Sequence, residues 1–199
     1  MKKLRFLKKD KQKGNFAFID SQNLNLGTQK VGWKIDWQKF LHYLQTKHNV
    51  KTAYLFIGYM QENEEMYKQL YDIGYLVVLK PTVELALNEQ KNQNDTHNKS
   101  SKSFQRQKSA VKASIKGNVD AELVLYALKE MPKYREAVIV SGDGDFYCLA
   151  EYLEQKNKLQ AIMAPNKQYS SLLKPFEKYI IRIDKLRQQL EHIDYKSKK

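Results

Sequence analysis

The chain has 199 residues, of which 42% are hydrophobic and 12% aromatic, and its formal net charge is +13. This composition excludes global disorder and is sufficient for one domain with a sizeable core. The single cysteine, Cys148, excludes an intramolecular disulfide, and no apolar run approaches the roughly 18 residues of a membrane span. We therefore expect a reducing, cytoplasmic setting and no membrane partner.

Taken in chain order, apolar runs alternate with amphipathic segments. The predicted strands cover residues 16–19, 52–59, 75–79, 137–140, 159–163 and, as a short strand or extended end, 179–183. A polar turn is predicted over 20–27, and Asp36 precedes a helix with the apolar stripe Trp37, Phe40, Leu41 and Leu44. Further helices are predicted over 62–71, 121–131, 145–155, 170–179 and 184–193. The alternation predicts a three-layer α/β/α domain with a mainly parallel sheet.

We place this single domain at residues 14–190, between a basic arm over 1–13 and a basic tail over 191–199. Residues 88–109 interrupt it with a polar loop rich in Asn, Gln, Ser and Lys. Such a loop is either a functional lid that touches substrate or a passive insertion. Both readings stay open at this point.

The positive charge is concentrated outside the predicted core. The arm carries a net +6, the polar loop +3 and the tail +1, so about +3 of the total +13 belongs to the remainder. Clustered cations of this kind attract phosphate without sequence preference and with strong salt dependence. Basic tails also serve solubility alone, so the charge favours a nucleic-acid partner without identifying one.

Three strand or helix junctions carry carboxylates. Asp20 and the pair Asp143–Gly–Asp145 follow apolar strands directly, and Asp120 stands where a helix begins. Parallel strands that end at one sheet edge bring such acids together. Clustered carboxylates suit Mg²⁺, which polarises phosphate and activates water. Each acid taken alone also suits a helix cap or a turn, and that alternative stays open.

Other chemistries find less support in the sequence. The four histidines are scattered without metal-ligand spacing, and no motif for a nucleophilic serine or cysteine is present. A small-molecule phosphohydrolase would also use metal-binding acids. It ranks below a nuclease because the chain has no phosphate-cradling glycine loop and its charge favours a polyanion.

Three motifs, taken in order, resemble those of the NYN domain, the LabA-like branch of the PIN-like ribonuclease superfamily. They are Ile19-Asp-Ser-Gln-Asn23, Lys116-Gly-Asn-Val-Asp120 and Ser141-Gly-Asp-Gly-Asp145-Phe146. The resemblance extends over about residues 16–183. It implies a Rossmann-like fold and an endoribonuclease that hydrolyses RNA phosphodiester bonds with Mg²⁺ or Mn²⁺.

The resemblance also assigns roles to residues of this chain. The implied metal ligands and catalytic residues are Asp20, Asp120, Asp143 and Asp145, with Asp145 acting directly or through water. Asn23 is expected to orient Asp20 or contact substrate, and Ser141 to support its turn or touch phosphate. Lys116 is expected to meet the scissile phosphate.

Two departures from the family pattern bear on activity. Asn118 lengthens the spacing between Lys116 and Asp120 by one residue, and Tyr126 stands where many relatives have an aspartate. If that aspartate serves a second metal ion, this protein uses one cation or is weakly active. The alternative function is therefore a non-catalytic RNA-binding or regulatory module that keeps the fold and part of the site.

Overall fold

The structure is a computed structural model that describes residues 13–80 and 119–193. Nearly all of the predicted arm, the whole polar loop over 88–109 and residues 194–199 of the predicted tail lie outside these ranges. Within them, no helix is long and apolar enough to cross a membrane.

A six-stranded sheet forms the middle layer of the described domain, and every pair of neighbouring strands is parallel. Its strands are β1 (Asn15–Asp20), β2 (Val50–Gly58), β3 (Leu76–Lys80), β4 (Ala137–Val140), β5 (Leu159–Ala164) and β6 (Ile180–Arg182). Their order across the sheet is β3-β2-β1-β4-β5-β6. The predicted α/β/α class is confirmed, and the mainly parallel sheet is parallel throughout.

Six α-helices flank this sheet in the described part of the chain. They are α1 (Ser21–Gln29), α2 (Trp37–His48), α3 (Glu64–Ile73), α4 (Asp120–Lys129), α5 (Tyr147–Gln155) and α6 (Arg187–Leu190). Short 3₁₀ segments cover Gln61–Asn63, Gly144–Phe146, Ser171–Tyr179 and Ile183–Leu186. The helix predicted over 184–193 is therefore shorter and in part 3₁₀.

The predicted polar turn over 20–27 is wrong, because this segment forms α1. The carboxylate of Asp20 accepts a hydrogen bond from the backbone N–H of Asn23 at 3.0 Å and so caps the helix. Leu24 is fully buried on the same helix. Capping and burial outweigh the turn preference of the Asn and Gly residues in this segment.

Each face of the sheet carries its own hydrophobic core. On one face, buried side chains of α1, α2, α3 and α6 pack against the sheet, with Leu24, Leu44 and Leu190 among them. On the other face, α4 and α5 contribute Leu123 and Leu153. Both faces of the strands are covered, which explains why β4 reads as an unbroken apolar run.

A buried side chain, Asn15, joins four segments at the amino ends of the strands. Its amide nitrogen donates to the backbone oxygen of His48 at 2.7 Å and to Oε1 of Gln160 at 2.9 Å. Its amide oxygen accepts from the backbone N–H of Glu136 at 3.1 Å. These bonds fix how β1 sits against its neighbours.

The strand order reverses between β1 and β4, the two strands at the centre of the sheet. The chain builds outward from β1 through β2 to β3, and the later strands extend from β4 in the opposite direction. In open α/β sheets this reversal leaves a crevice at the carboxyl ends of the two central strands. Asp20 ends β1 and Asp143 follows β4, so both acids lie at this crevice.

Candidate functional site

A pocket of about 280 Å³ opens at the carboxyl ends of β1 and β4. Its lining residues are Asp20, Gln22, Asn23, Leu26, Val119, Asp120, Asp143 and Asp145. All four carboxylates singled out in the sequence therefore line one pocket. They come from three separate segments of the chain: the start of α1, the start of α4 and the loop after β4.

Asp20 is the most deeply placed of these acids. Only 6% of its surface is exposed. One carboxylate oxygen accepts from the backbone N–H of Asn23, and the other accepts from the hydroxyl of Ser141 at 3.3 Å. The side chain is thus held in one orientation from two sides, by α1 and by the end of β4.

Burial, together with the smaller effect of the nearby Asp120 and Asp143 carboxylates, raises the pKa of Asp20 to about 6. The two hydrogen bonds to Asp20 act in the opposite direction but do not offset its desolvation. Like charges placed together cost free energy because each disfavours ionisation of the others. A bound cation would remove this cost and leave Asp20 fully ionised at neutral pH.

The loop after β4 is organised by its own carboxylate. Asp143 accepts from the backbone N–H of Asp145 at 3.1 Å and caps the 3₁₀ turn Gly144–Phe146. Its own backbone N–H donates to the Ser141 hydroxyl at 3.2 Å. Asp20 and Asp143 are therefore both caps and pocket-lining acids, so the two interpretations of these residues are compatible.

Asp120 differs from these two acids. Val119 occupies the N-cap position of α4, and Asp120 is the first residue of the helix. Its negative charge interacts favourably with the positive end of the helix dipole. It is also close enough to Asp20 to raise the pKa of that residue. Asp120 therefore opens α4 rather than capping it, and it lies near Asp20.

Asn23 and Ser141 connect the two central strands around the pocket. The side-chain oxygen of Asn23 accepts from the backbone N–H of Gly142 at 2.9 Å. Ser141 is buried and bonds to both Asp20 and Asp143. Asn23 lines the pocket, whereas Ser141 lies behind the acids.

The donor chemistry of the pocket suits a hard divalent cation, since its carboxylate oxygens are the ligands that Mg²⁺ and Mn²⁺ prefer. The side chains are not gathered into a complete ligand set. Across residues 13–80 and 119–193, no three His, Cys, Asp or Glu side chains stand close enough together to hold one metal ion. These side chains therefore have the right chemistry for a divalent cation and line the same pocket, but they are not already arranged as its ligands.

Tyr126 does not face this pocket. Its ring packs edge-on against Tyr54 and Phe56, with centroid separations of 5.5 and 5.6 Å. The position therefore belongs to the core between α4 and the sheet. Tyr126 is therefore a core side chain in this protein, and the effect of this departure on activity stays a prediction.

Lys116 lies outside the described residues. Three pocket residues were missed by sequence reasoning, namely Gln22, Leu26 and Val119. Gln22 and Leu26 were hidden by the prediction of a turn over 20–27. If α1 is taken to begin at Ser21, the spacing of positions 22, 23 and 26 places their side chains near the pocket.

These features define a Rossmann-like α/β/α domain with an acid-lined pocket at its topological switch point. The model of the NYN domain family matches residues 16–184, and the chain belongs to this family, within the PIN-like nuclease superfamily. The resemblance inferred from the three motifs is thus confirmed.

Two individual proteins are similar to this chain. One is "Low amplitude and bright protein LabA" of Synechococcus elongatus, which is 29% identical over 143 residues, covering 70% of this chain and 67% of the relative. The other is a crystal structure of a protein of unknown function from Vibrio parahaemolyticus. It superposes with a TM-score of 0.64 at 18% identity, covering 90% of this chain and 97% of the other, and shows the fold alone.

Proposed function

We propose that this protein is a divalent-metal-dependent endoribonuclease that hydrolyses RNA phosphodiester bonds, with Mg²⁺ or Mn²⁺ as the cation. The observation that carries the proposal is the arrangement of Asp20, Asp120, Asp143 and Asp145 around one pocket at the switch point. Four acids from three segments would repel one another without a cation. Membership of a nuclease superfamily supports the same reading.

In this proposal, Asp20, Asp120 and Asp143 hold the cation, and Asp145 completes the set directly or through water. When bound, the cation supplies Lewis-acid polarisation of the phosphate and lowers the pKa of water. Asn23 and Ser141 position these acids. Their bonds to Gly142, Asp20 and Asp143 hold the start of α1 and the loop after β4 in a fixed relative position.

Most of the proposed RNA contacts come from segments outside the described residues. We assign attraction of the RNA backbone to the basic segments 1–13 and 88–109, and contact with the scissile phosphate to Lys116. These segments carry most of the excess positive charge in the sequence. Binding through them would weaken steeply with added salt, because it releases counterions from the RNA.

The test is cleavage of a labelled single-stranded RNA and a structured RNA by purified protein in Mg²⁺ or Mn²⁺. We expect cleavage that EDTA abolishes and that Asp143→Asn lowers by at least about 100-fold, since even outer-shell changes cost 10–100-fold at metal sites. The matched control is Asp72→Asn, which removes an exposed acid on α3. RNA left intact with both metals, or equal loss in both variants, refutes the proposal.

A second candidate is a non-catalytic RNA-binding or regulatory module. It is favoured by the observation that no three acids converge within the described part of the chain. Salt-sensitive RNA binding that survives Asp143→Asn, without hydrolysis in either metal, distinguishes this candidate from the nuclease.

A further inference from the structure

A second pocket, of about 210 Å³, adjoins the acidic pocket. Its lining residues are Asn23, Leu26, Gly27, Lys30, Gly142, Pro165, Asn166, Gln168 and Tyr169. Asn23 and Leu26 line both pockets and form the ridge between them. The two pockets therefore make one groove across the carboxyl ends of β1, β4 and β5.

The far wall of this second pocket is tied to the loop that carries the acids. The backbone oxygen of Gly142 accepts from the N–H of Ser170 at 2.8 Å. A side chain at Gly142 would begin 3.2 Å from Cβ of Tyr169, and one at Gly144 would collide with the Ser170 hydroxyl at 2.4 Å. Tyr169 is thus held at a fixed distance from Asp143.

The floor of the pocket is equally well fixed. Asn166, 6% exposed, donates from its side chain to the backbone oxygen of Gly27 at 2.7 Å and accepts from the N–H of Gln168 at 2.7 Å. Gly27 lies so close to Pro165 that an added Cβ would stand 2.3 Å from the proline ring. The pocket is therefore preformed and does not require a ligand to shape it.

The chemistry of this pocket differs from that of its neighbour. Four carboxylates line the acidic pocket, whereas Lys30 is the one charged residue that lines the second. Within the described part of the chain, the Lys30 ammonium makes no ion pair or side-chain hydrogen bond. Tyr169 contributes a half-buried ring that contacts no other aromatic ring within the described residues, and Gln168 contributes an exposed amide.

The volume and polarity of the second pocket restrict the kind of ligand that it can bind. A volume of 210 Å³ falls below the roughly 300–1,000 Å³ of sites for drug-sized molecules, so it suits a small group such as one heterocyclic base. An aromatic ring, amide groups and a cation are the groups with which proteins bind single-stranded nucleic acid. Leu26, 52% exposed on the ridge, offers an apolar contact for a sugar or a base.

We propose that this second pocket binds the nucleotide that neighbours the scissile phosphate of a single-stranded RNA. Its base stacks on Tyr169 and meets the amide of Gln168, while its phosphate faces Lys30. The strand then crosses the Asn23–Leu26 ridge and places its next phosphate at the acids. The assignment of the scissile position rests on the proposed nuclease function, whereas nucleotide binding in the pocket does not.

The direct test is NMR titration of the metal-free full-length protein with AMP, GMP, CMP and UMP in turn. We expect millimolar binding by at least one nucleotide, with shifts at the Gly142 backbone amide and the Asn166 and Gln168 side-chain amides. These shifts should disappear in Tyr169→Ala and persist in Tyr71→Ala, which removes an exposed tyrosine on α3. Absence of shifts, or equal shifts in Tyr169→Ala, overturns the proposal.

RNA binding supplies a second, independent readout. RNA affinity is measured in EDTA by fluorescence anisotropy with a short labelled single-stranded RNA. Tyr169→Ala should lower this affinity by about 10-fold, since stacking of one base contributes about 5- to 150-fold to affinity. Tyr169→Phe keeps the ring and should bind with nearly the affinity of the parent. Lys30→Gln should reduce the slope of log affinity against log salt by about 1. Equal weakening in Tyr169→Ala and Tyr169→Phe contradicts stacking, and an unchanged slope contradicts the phosphate contact.

The two proposals fail in different ways. Nucleotide binding at the second pocket without RNA hydrolysis refutes the nuclease and supports the subsite. Normal hydrolysis by Tyr169→Ala and Lys30→Gln refutes the subsite and supports the nuclease. Because Tyr169 also packs against the hydrophobic core, the thermal midpoint of each variant is measured. Lys30→Gln, at an exposed position, keeps the test valid if Tyr169→Ala unfolds.

Discussion

Replacing Asp20 with Asn should stabilise the metal-free protein at neutral pH. In the folded protein, burial and the charges of Asp120 and Asp143 raise the pKa of Asp20 from 3.8 to about 6. An acid whose pKa is raised by folding stabilises the folded state at low pH, where it is protonated in both states. That contribution is lost as the pH rises from about 4 to about 6.

The size of the effect follows from the shift. Two pKa units at 1.36 kcal/mol each give about 3 kcal/mol that ionised Asp20 costs the fold above pH 6. Asparagine has nearly the same shape, keeps an oxygen for the N–H of Asn23 and carries no charge. The variant should therefore match the parent below pH 4 and exceed it by up to about 3 kcal/mol at pH 7.5, a rise of roughly 6–12 °C in thermal midpoint.

Urea unfolding of parent and variant between pH 4 and pH 8, in EDTA, measures this difference directly. Asp72→Asn on α3 serves as the control for removing one exposed acid, and its difference from the parent should stay within about 0.5 kcal/mol. Addition of Mn²⁺ should stabilise the parent and not Asp20→Asn. A difference that is constant across the pH range, or a variant less stable than the parent at pH 7.5, refutes the reasoning.

Substitutions at three further positions test the packing of the domain. Asn15→Ala removes three hydrogen bonds of a buried side chain and should cost about 3 kcal/mol of unfolding free energy, measured in urea. Gly27→Ala should lower the thermal midpoint, because overpacking against Pro165 costs about 1–3 kcal/mol and the gain in helix propensity is about 1. Tyr126→Asp should destabilise by at least about 2 kcal/mol without raising RNA cleavage, whereas Tyr126→Phe stays near neutral; a gain in cleavage would return this position to the site.

The sheet was predictable because each strand is a short apolar run between polar breaks. Residues 137–140 were assigned to a strand with the bounds that β4 has in the structure. The segment after β1 was not, since Asn and Gly residues suggest a turn and the deciding contacts are tertiary. Leu24 becomes fully buried only when α1 packs on the sheet, and propensity alone carries no sign of this.

The acids of the site were found because strand ends in a parallel sheet share an edge, a rule that needs no contact information. The raised pKa of Asp20 could not be read from the sequence, because it depends on how deeply this side chain is buried. Tyr126 shows the opposite case. The family resemblance suggests a place near the metal for this position, whereas in the structure its ring packs edge-on against Tyr54 and Phe56.

The bond from Ser141 to Asp20 joins residues that are 121 positions apart in the chain. During synthesis, β1 is made early and pairs with β4 only after the intervening segments have emerged from the ribosome. Contacts this distant in sequence form late, because closing a long loop precedes any gain from the contact. A nascent chain that ends before residue 141 has Asp20 and Asp120 but lacks Ser141, Asp143 and Asp145. We therefore expect the complete set of pocket acids to come together only after the loop that follows β4 has left the ribosome.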